Sequence, residues 1–274
     1  MKTKSKWIWL WHIFFILVVC MVLYPILFAM DNAMKTDQQV YAGLTGWLSN
    51  GISLHNYIDI YERVPLLRII WNTFAISSIN TFLTMLVSFL ASYVLVYYRF
   101  KGSDKIVGLF VWSMFIPFTV TIIPHYLIVS KMQLVNTWMG VVIPQIFSGS
   151  AVFLLIQSMR NIPLSLIEVA KLENISDRKI MCHIVLPLVK PQLIATSIWF
   201  FALTWNDFIW PNRILKDTTS YTLPLILQSF ISGEGGGGFT SAMAMSVITM
   251  IIPLILYLIF QKHIIETFTS AGIK

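Results

Sequence analysis

The hydrophobic positions of this chain fall in long runs, and the polar positions fill the gaps. Six windows contain no Asp, Glu, Lys or Arg: Trp7–Met30, Ile69–Tyr98, Ile106–Ser130, Met132–Met159, Pro191–Asn206 and Phe239–Gln261. A helix needs about 20 apolar residues to cross the hydrocarbon core of a bilayer. The pattern therefore predicts an all-α membrane protein with about six transmembrane helices. The fifth window is short and is expected to run on past Asp207 to near Trp210. Only Lys131 separates the third window from the fourth, which predicts a tight hairpin. Pro25, Pro117, Pro124, Pro144 and Pro253 fall inside the windows. Such kinks are tolerated in a bilayer where neighbouring groups satisfy the freed carbonyls.

Composition agrees with the pattern. Of 274 residues, 57% are hydrophobic and 11% charged, against about 25% charged in a soluble domain. Ten Trp and ten Tyr suit interfacial belts. The net charge of +7 does not point to nucleic acid, because the cations form no single stripe and sit between apolar windows. Their distribution reads as orientation instead. With the N-terminus inside, 13 Lys and Arg lie in inside segments and 6 in outside segments, which favours both termini in the cytoplasm. Lys2, Lys4 and Lys6 before an apolar run resemble a signal peptide. The 24 uncharged residues of Trp7–Met30 exceed the roughly 7–15 of a signal h-region, so a retained first helix is expected, anchored by Trp7, Trp9 and Trp11. Cys20 and Cys182 form no pair or metal pattern. His12 and His125 read as packing residues. No metal site, P-loop or nucleophile elbow is visible.

The chain thus reads as a single transmembrane domain over residues 1–274, with outside loops at about 31–67 and 212–238 and an inside loop at about 160–191. The outside loop 212–238 ends in Gly235, Gly236, Gly237 and Gly238, which read as a flexible run. In the inside loop, Pro163 is expected to start a helix capped by Asn161. Asn174 breaks that helix. A second short helix, with Ser176 as its cap, is expected to end at Pro187 and Pro191. The apolar faces of two such helices could lie on lipid headgroups or in a groove of a cytoplasmic partner. Periodicity alone does not choose between the two.

Specific residues in this loop resemble the EAA loop of permease subunits of ATP-binding-cassette importers. Glu168-Val169-Ala170 stands for Glu-Ala-Ala, Glu173-Asn174-Ile175 for the acidic-Gly-Ala step, and Ile184-Val185-Leu186-Pro187 for Ile-x-Leu-Pro. Trp205-Asn206-Asp207-Phe208 with Trp210-Pro211 is similar to a segment of the carbohydrate-uptake, maltose-permease-like branch. Asn72, Tyr97-Tyr98-Arg99-Phe100, Ile116-Pro117, Tyr221-Thr222-Leu223-Pro224 and Phe260-Gln261-Lys262 extend the likeness over nearly the whole chain. Two departures stand out. Asn174 replaces a Gly expected to adopt a left-handed conformation, which Asn tolerates next best. Val169 replaces a small Ala.

The resemblance implies the type I importer permease fold and a bacterial inner-membrane location. It also implies a second permease subunit, an ATPase dimer that binds ATP and Mg, and an extracellular or periplasmic solute-binding protein, with membrane lipid around them. The chain itself would hold no cofactor and perform no catalysis. Glu168, Val169, Ala170, Glu173, Asn174, Ile184, Leu186 and Pro187 would couple it to the ATPase. Gly235–Gly238 would approach the binding protein, and the tail Phe268–Lys274 the ATPase pair. Trp205, Asn206 and Asp207 would line the translocation path or sit at the interface, and both readings of Asp207 stay open. The cargo implied is a di- or oligosaccharide. Glycerol phosphate or another polyol-like solute in the same machinery is the first alternative, and a stand-alone channel or secondary transporter the second.

Overall fold

The computed structural model describes residues 3–41, 52–98 and 100–272, with side chains at 8–40, 52–98 and 100–261. Arg99, the Trp7 and Lys262 side chains and the contacts of the tail Phe268–Lys274 lie outside the described residues. All regular structure among the described residues is helical. Four helical stretches are long and apolar enough to cross a membrane: Ile8–Ala33, Leu66–Tyr97, Asp177–Trp205 and Phe239–Gln261. Two further stretches are bent pairs. Ser103–Ser113 and Phe118–Lys131 meet at 103°, and Trp138–Gln145 and Gly149–Arg160 at 50°. Counting each pair as one crossing gives six, the number that the charge-free windows predict.

The breaks have local causes. Pro117 sits extended ahead of the second half of its pair, because the ring fixes φ and removes a backbone donor. Pro144 lies in the tight turn Ile143–Gln145 that ends the first half of the other. The second half restarts at Ser148, whose hydroxyl accepts from Ala151 N at 3.3 Å. Pro25, Pro124 and Pro253 stay inside helices. The hairpin after Lys131 is wider than expected: Gln133 and Asn136 take positive φ (57° and 61°) before a helix capped by Thr137.

The chain divides into two compact units. One holds Arg68–Pro224 and Pro253–Lys274. It contains most of α4 (Leu66–Tyr97), with α5 (Ser103–Ser113), α6 (Phe118–Lys131), α7 (Trp138–Val142), α8 (Gly149–Arg160), α9 (Leu164–Leu172), α10 (Asp177–Ile180) and α11 (Leu186–Trp205). Phe89, Tyr93, Val152, Leu155, Ile156, Met159, Ile167, Ile180, Val185 and Val189 form one buried cluster. Along α4 the buried face is rich in Ser, Thr and Asn: Thr73, Ser77, Asn80, Thr81, Thr84, Ser88 and Ser92. Small polar residues let helix backbones approach closely where lipid offers no hydrophobic drive.

Two sequence expectations change in this unit. The second helix of the inside loop does not stop at Pro187 or Pro191. It continues from Asp177 through a single π-turn, Met181–Val185, into α11. The π-turn moves hydrogen bonding to the fifth residue back, with Leu186 N bonded to Met181 O. Pro187 enters just after it, where a missing donor is absorbed without ending the helix. At its other end α11 does not reach Trp210. It closes at Trp205, with Asn206 N on Ala202 O and Asp207 N on Thr204 O. The Asp207 carboxylate then accepts from Trp210 N at 3.4 Å, which opens the separate α12 (Ile209–Ile214).

The other unit holds Met1–Leu67 and Leu225–Ile252. It contains α1 (Thr3–Ala33), α2 (Asp37–Tyr41), α3 (His55–Arg63), most of α13 (Leu223–Ile231) and the start of α14 (Phe239–Gly272). Its polar segments fold on one another. Lys35 pairs with Asp31 in a nearly buried bridge. Asn56 Nδ2 donates to Ala33 O (2.8 Å) and Lys35 O (2.7 Å). The Thr240 hydroxyl lies within reach of Asp37 Oδ1 (2.8 Å) and Asn56 Oδ1 (3.0 Å). The glycine run here is not a loose linker. Arg63 Nη1 donates to Gly236 O at 2.7 Å, and Gly235 N to Ser229 O at 2.8 Å. A Cβ at Gly237 would strike the Phe230 ring, and one at Gly238 the Asp37 carboxylate. These glycines are required by close approach of neighbouring side chains to the backbone.

Candidate functional site

The inside loop is seated by its neighbours in the same unit. Helix α9 presents Ile167 and Ala170 to the buried cluster. Its other apolar residues, Leu166, Val169 and Leu172, stay exposed at 44%, 58% and 81%. They recur every three residues, so α9 has one face docked on its own chain and another uncovered. Glu168 and Glu173 are exposed and form no ion pair among the described residues.

The helix ends in a Schellman motif. Ile175 N donates to Ala170 O and Asn174 N to Lys171 O, both at 3.0 Å. Asn174 takes φ 55° between them, the left-handed conformation that the motif demands of its first residue beyond the cap. The conformation expected from the Gly-to-Asn departure is therefore present. The two capping expectations differ. Asn161 ends α8 instead of starting α9, and Pro163 stands at the start of α9. Ser176 occupies the start of α10, but its hydroxyl makes no capping bond.

Three tyrosines at the end of α4 hold this loop. Tyr97 donates to Met159 O (3.1 Å) at the end of α8. Tyr93 reaches Asp177 O (3.4 Å) at the start of α10. The Lys171 ammonium lies 5.3 Å from the centre of the Tyr98 ring, a cation–π distance. The Asp177 carboxylate beside the Tyr98 hydroxyl holds the tyrosine's pKa above its ordinary value. Ile184 and Leu186 are half-buried and Pro187 exposed. Of the predicted coupling residues, Glu168, Val169, Glu173, Asn174 and Pro187 are exposed and Ala170 is buried.

Trp205, Asn206 and Asp207 lie at the opposite end of α11. Trp205 is fully buried and Asn206 exposed. Asp207 Oδ2 accepts from Gln145 Nε2 at 2.9 Å. Asn80 Nδ2 donates to Gln145 Oε1 and Thr204 Oγ1, each at 3.0 Å. Trp210 Nε1 donates to Val141 O at 3.1 Å. Asp207 ends a polar chain that ties α4, the Ile143–Gln145 turn and the end of α11. Sequence reading missed Gln145 and Asn80. The recurrence of Asn, Ser and Thr every three or four residues along α4 was the available signal. Close by in the fold, Asn72 Nδ2 donates to Thr219 O and Tyr221 O (2.9 and 3.0 Å), and Leu223 N to Thr73 Oγ1 (2.8 Å). Two motifs far apart in sequence are therefore one joint. Gly235–Gly238 belong to the other unit.

Among the described residues this arrangement pairs no nucleophile with an adjacent base. What it offers is a rigidly seated, partly uncovered surface on an otherwise membrane-embedded helical chain. The chain is 29% identical to the arabinooligosaccharides transport system permease protein AraQ of Halalkalibacterium halodurans, over 100% of this chain and 99% of that one. It is 28% identical to the sn-glycerol-3-phosphate transport system permease protein UgpE of Escherichia coli K12, over 93% of each. Its fold resembles a chain of a bacterial ABC transporter involved in import of the acidic polysaccharide alginate. The TM-score is 0.76 at 18% identity, covering 96% of this chain and 98% of that one. The family model of the binding-protein-dependent transport system inner membrane component matches residues 5–266, and the chain belongs to that family.

Proposed function

We propose that this chain is a permease subunit of an ATP-driven, binding-protein-dependent importer of di- or oligosaccharides in a bacterial inner membrane, with both termini inside. The observation that carries the coupling role is the split character of α9. Ile167 and Ala170 are buried in the chain's own core, while Leu166, Val169 and Leu172 beside Glu168 are left uncovered. An amphipathic helix with such a face is suited to a groove on a partner, and the partner here is an ATPase dimer that binds ATP and Mg. Glu168 would pair with a cation of that subunit, and Asn174 holds the turn in shape. A second permease and an external solute-binding protein complete the assembly. Hydrolysis takes place on the ATPase, and this chain supplies part of the path.

The test is uptake in proteoliposomes holding the full assembly. Labelled arabino-oligosaccharide is expected to accumulate only with ATP and binding protein. Glu168→Ala should lower uptake at least tenfold while the subunits still assemble; full uptake by that variant would overturn the coupling role. One reading stays beside this one. Identity to UgpE is 28% against 29% to AraQ, so sn-glycerol 3-phosphate is the competing cargo, and its accumulation in place of the sugar would select it.

A further inference from the structure

A recess of ≈ 800 Å³ opens where the end of α4, the start of α5 and the α8–α9 corner meet. Its polar lining is Lys101, Ser103, Asp104, Lys105 and Arg160, three cations against one carboxylate. None of the three cations is ion-paired among the described residues. Helix α5 begins in this recess at Gly102, which takes φ 100° and provides no side-chain cap. Ser103 N donates out of the helix to Phe100 O at 3.0 Å, which leaves the next amides of the first turn to carry its positive end. Ser103, the first residue of α5, is only 9% exposed and lines the recess. Its hydroxyl has no hydrogen-bond partner among the described residues. Leu95, Phe100 and Leu164 supply apolar wall.

We propose that this recess binds a phosphate group, carried by an anionic lipid headgroup or free in solution. The first turn of α5 and the Ser103 hydroxyl, which opens on the recess, supply donors to anionic oxygens. The net excess of two positive charges supplies the attraction. Three cations around one space suit a tetrahedral group with several acceptor oxygens better than a single carboxylate. Basic pockets between membrane helices are a recurring way to hold lipid headgroups, and the apolar wall gives an acyl chain somewhere to lie. The recess touches α9 through Leu164, so an occupant would brace the corner that carries the partner-facing helix.

The experiment is native mass spectrometry of the full chain with its co-purifying subunits, titrated with three probes: inorganic phosphate, dihexanoyl phosphatidylglycerol and dihexanoyl phosphatidylcholine. Phosphatidylglycerol is expected to bind at least tenfold tighter than phosphatidylcholine. The triple variant Lys101→Gln, Lys105→Gln, Arg160→Gln should abolish that preference, Ser103→Ala should weaken binding several-fold, and Lys105→Arg should retain it. Binding of phosphate as well as phosphatidylglycerol identifies the free group as sufficient; phosphatidylglycerol alone identifies the lipid. Equal binding of the two lipids with no phosphate bound, or a triple variant that binds like the parent, overturns the proposal. Should the triple variant not assemble, Lys105→Gln alone, at an exposed side chain, must still weaken binding at least threefold. Binding is read without transport, so failure here leaves the transport reading untouched.

Discussion

Helices α1 and α4 have almost the same length, 31 and 32 residues, and both are apolar enough to cross a membrane. Their surroundings are opposite. From Ile8 to Tyr24 every side chain of α1 is exposed. On α4 a whole face is buried, and that face is where Thr73, Ser77, Asn80, Thr84, Ser88 and Ser92 lie. Hydropathy thus locates a crossing but does not say what covers it. In lipid, apolar side chains are already solvated, so a small or polar residue is the mark of a helix packed against protein. A stretch with almost no small polar residues, such as residues 13–30 of α1, is left for lipid or for another subunit.

The comparison can be attacked directly. The largest effect is expected from Ser88→Leu, which places a long side chain at a fully buried position. Overpacking of that kind costs about 1–3 kcal/mol and should appear as a lower thermal midpoint in detergent. Asn80→Ala comes next. It removes the donor shared by Gln145 and Thr204, and interhelical hydrogen bonds in membranes are worth about 0.6 kcal/mol, reaching about 1.7. The same midpoint should fall by less than for Ser88→Leu. The smallest effects are expected from Ser88→Ala and Leu17→Ala, each within about 0.5 kcal/mol. The Ser88 hydroxyl has no partner within the described structure, so smallness is what the site needs. Leu17 is 64% exposed, so no cavity forms. A large loss for Ser88→Ala would show that the hydroxyl matters. Reduced recovery of a second permease with Leu17→Ala would show that protein, and not lipid, covers α1.

Much of this architecture was legible in the residues. Charge-free windows locate the crossings because a charge at mid-bilayer is costly. Asn174 could be placed in a left-handed turn because few other residues tolerate it. Other features were hidden for physical reasons. Gly235–Gly238 look like a flexible linker because composition does not show which side chains press on a backbone. Here Arg63, Phe230 and Asp37 do so. Pro187 looks like a stop because the rule assumes ordinary helical bonding, and a π-turn evades it. Gln145 sits in a turn beside Pro144 and attracts no notice until the fold brings Asp207 and Asn80 to it.

The π-turn has a mechanical consequence. Because Pro187 does not interrupt the helix, Asp177–Trp205 is one strut of 29 residues, about 44 Å long at 1.5 Å per residue. The tyrosine-held loop grips one end and the Asp207 chain of hydrogen bonds grips the other. A tilt of about 10° about either end would carry the opposite end through about 8 Å on that length. A strut of that length would turn small angular play at the loop into a displacement of about two atomic diameters at its other end.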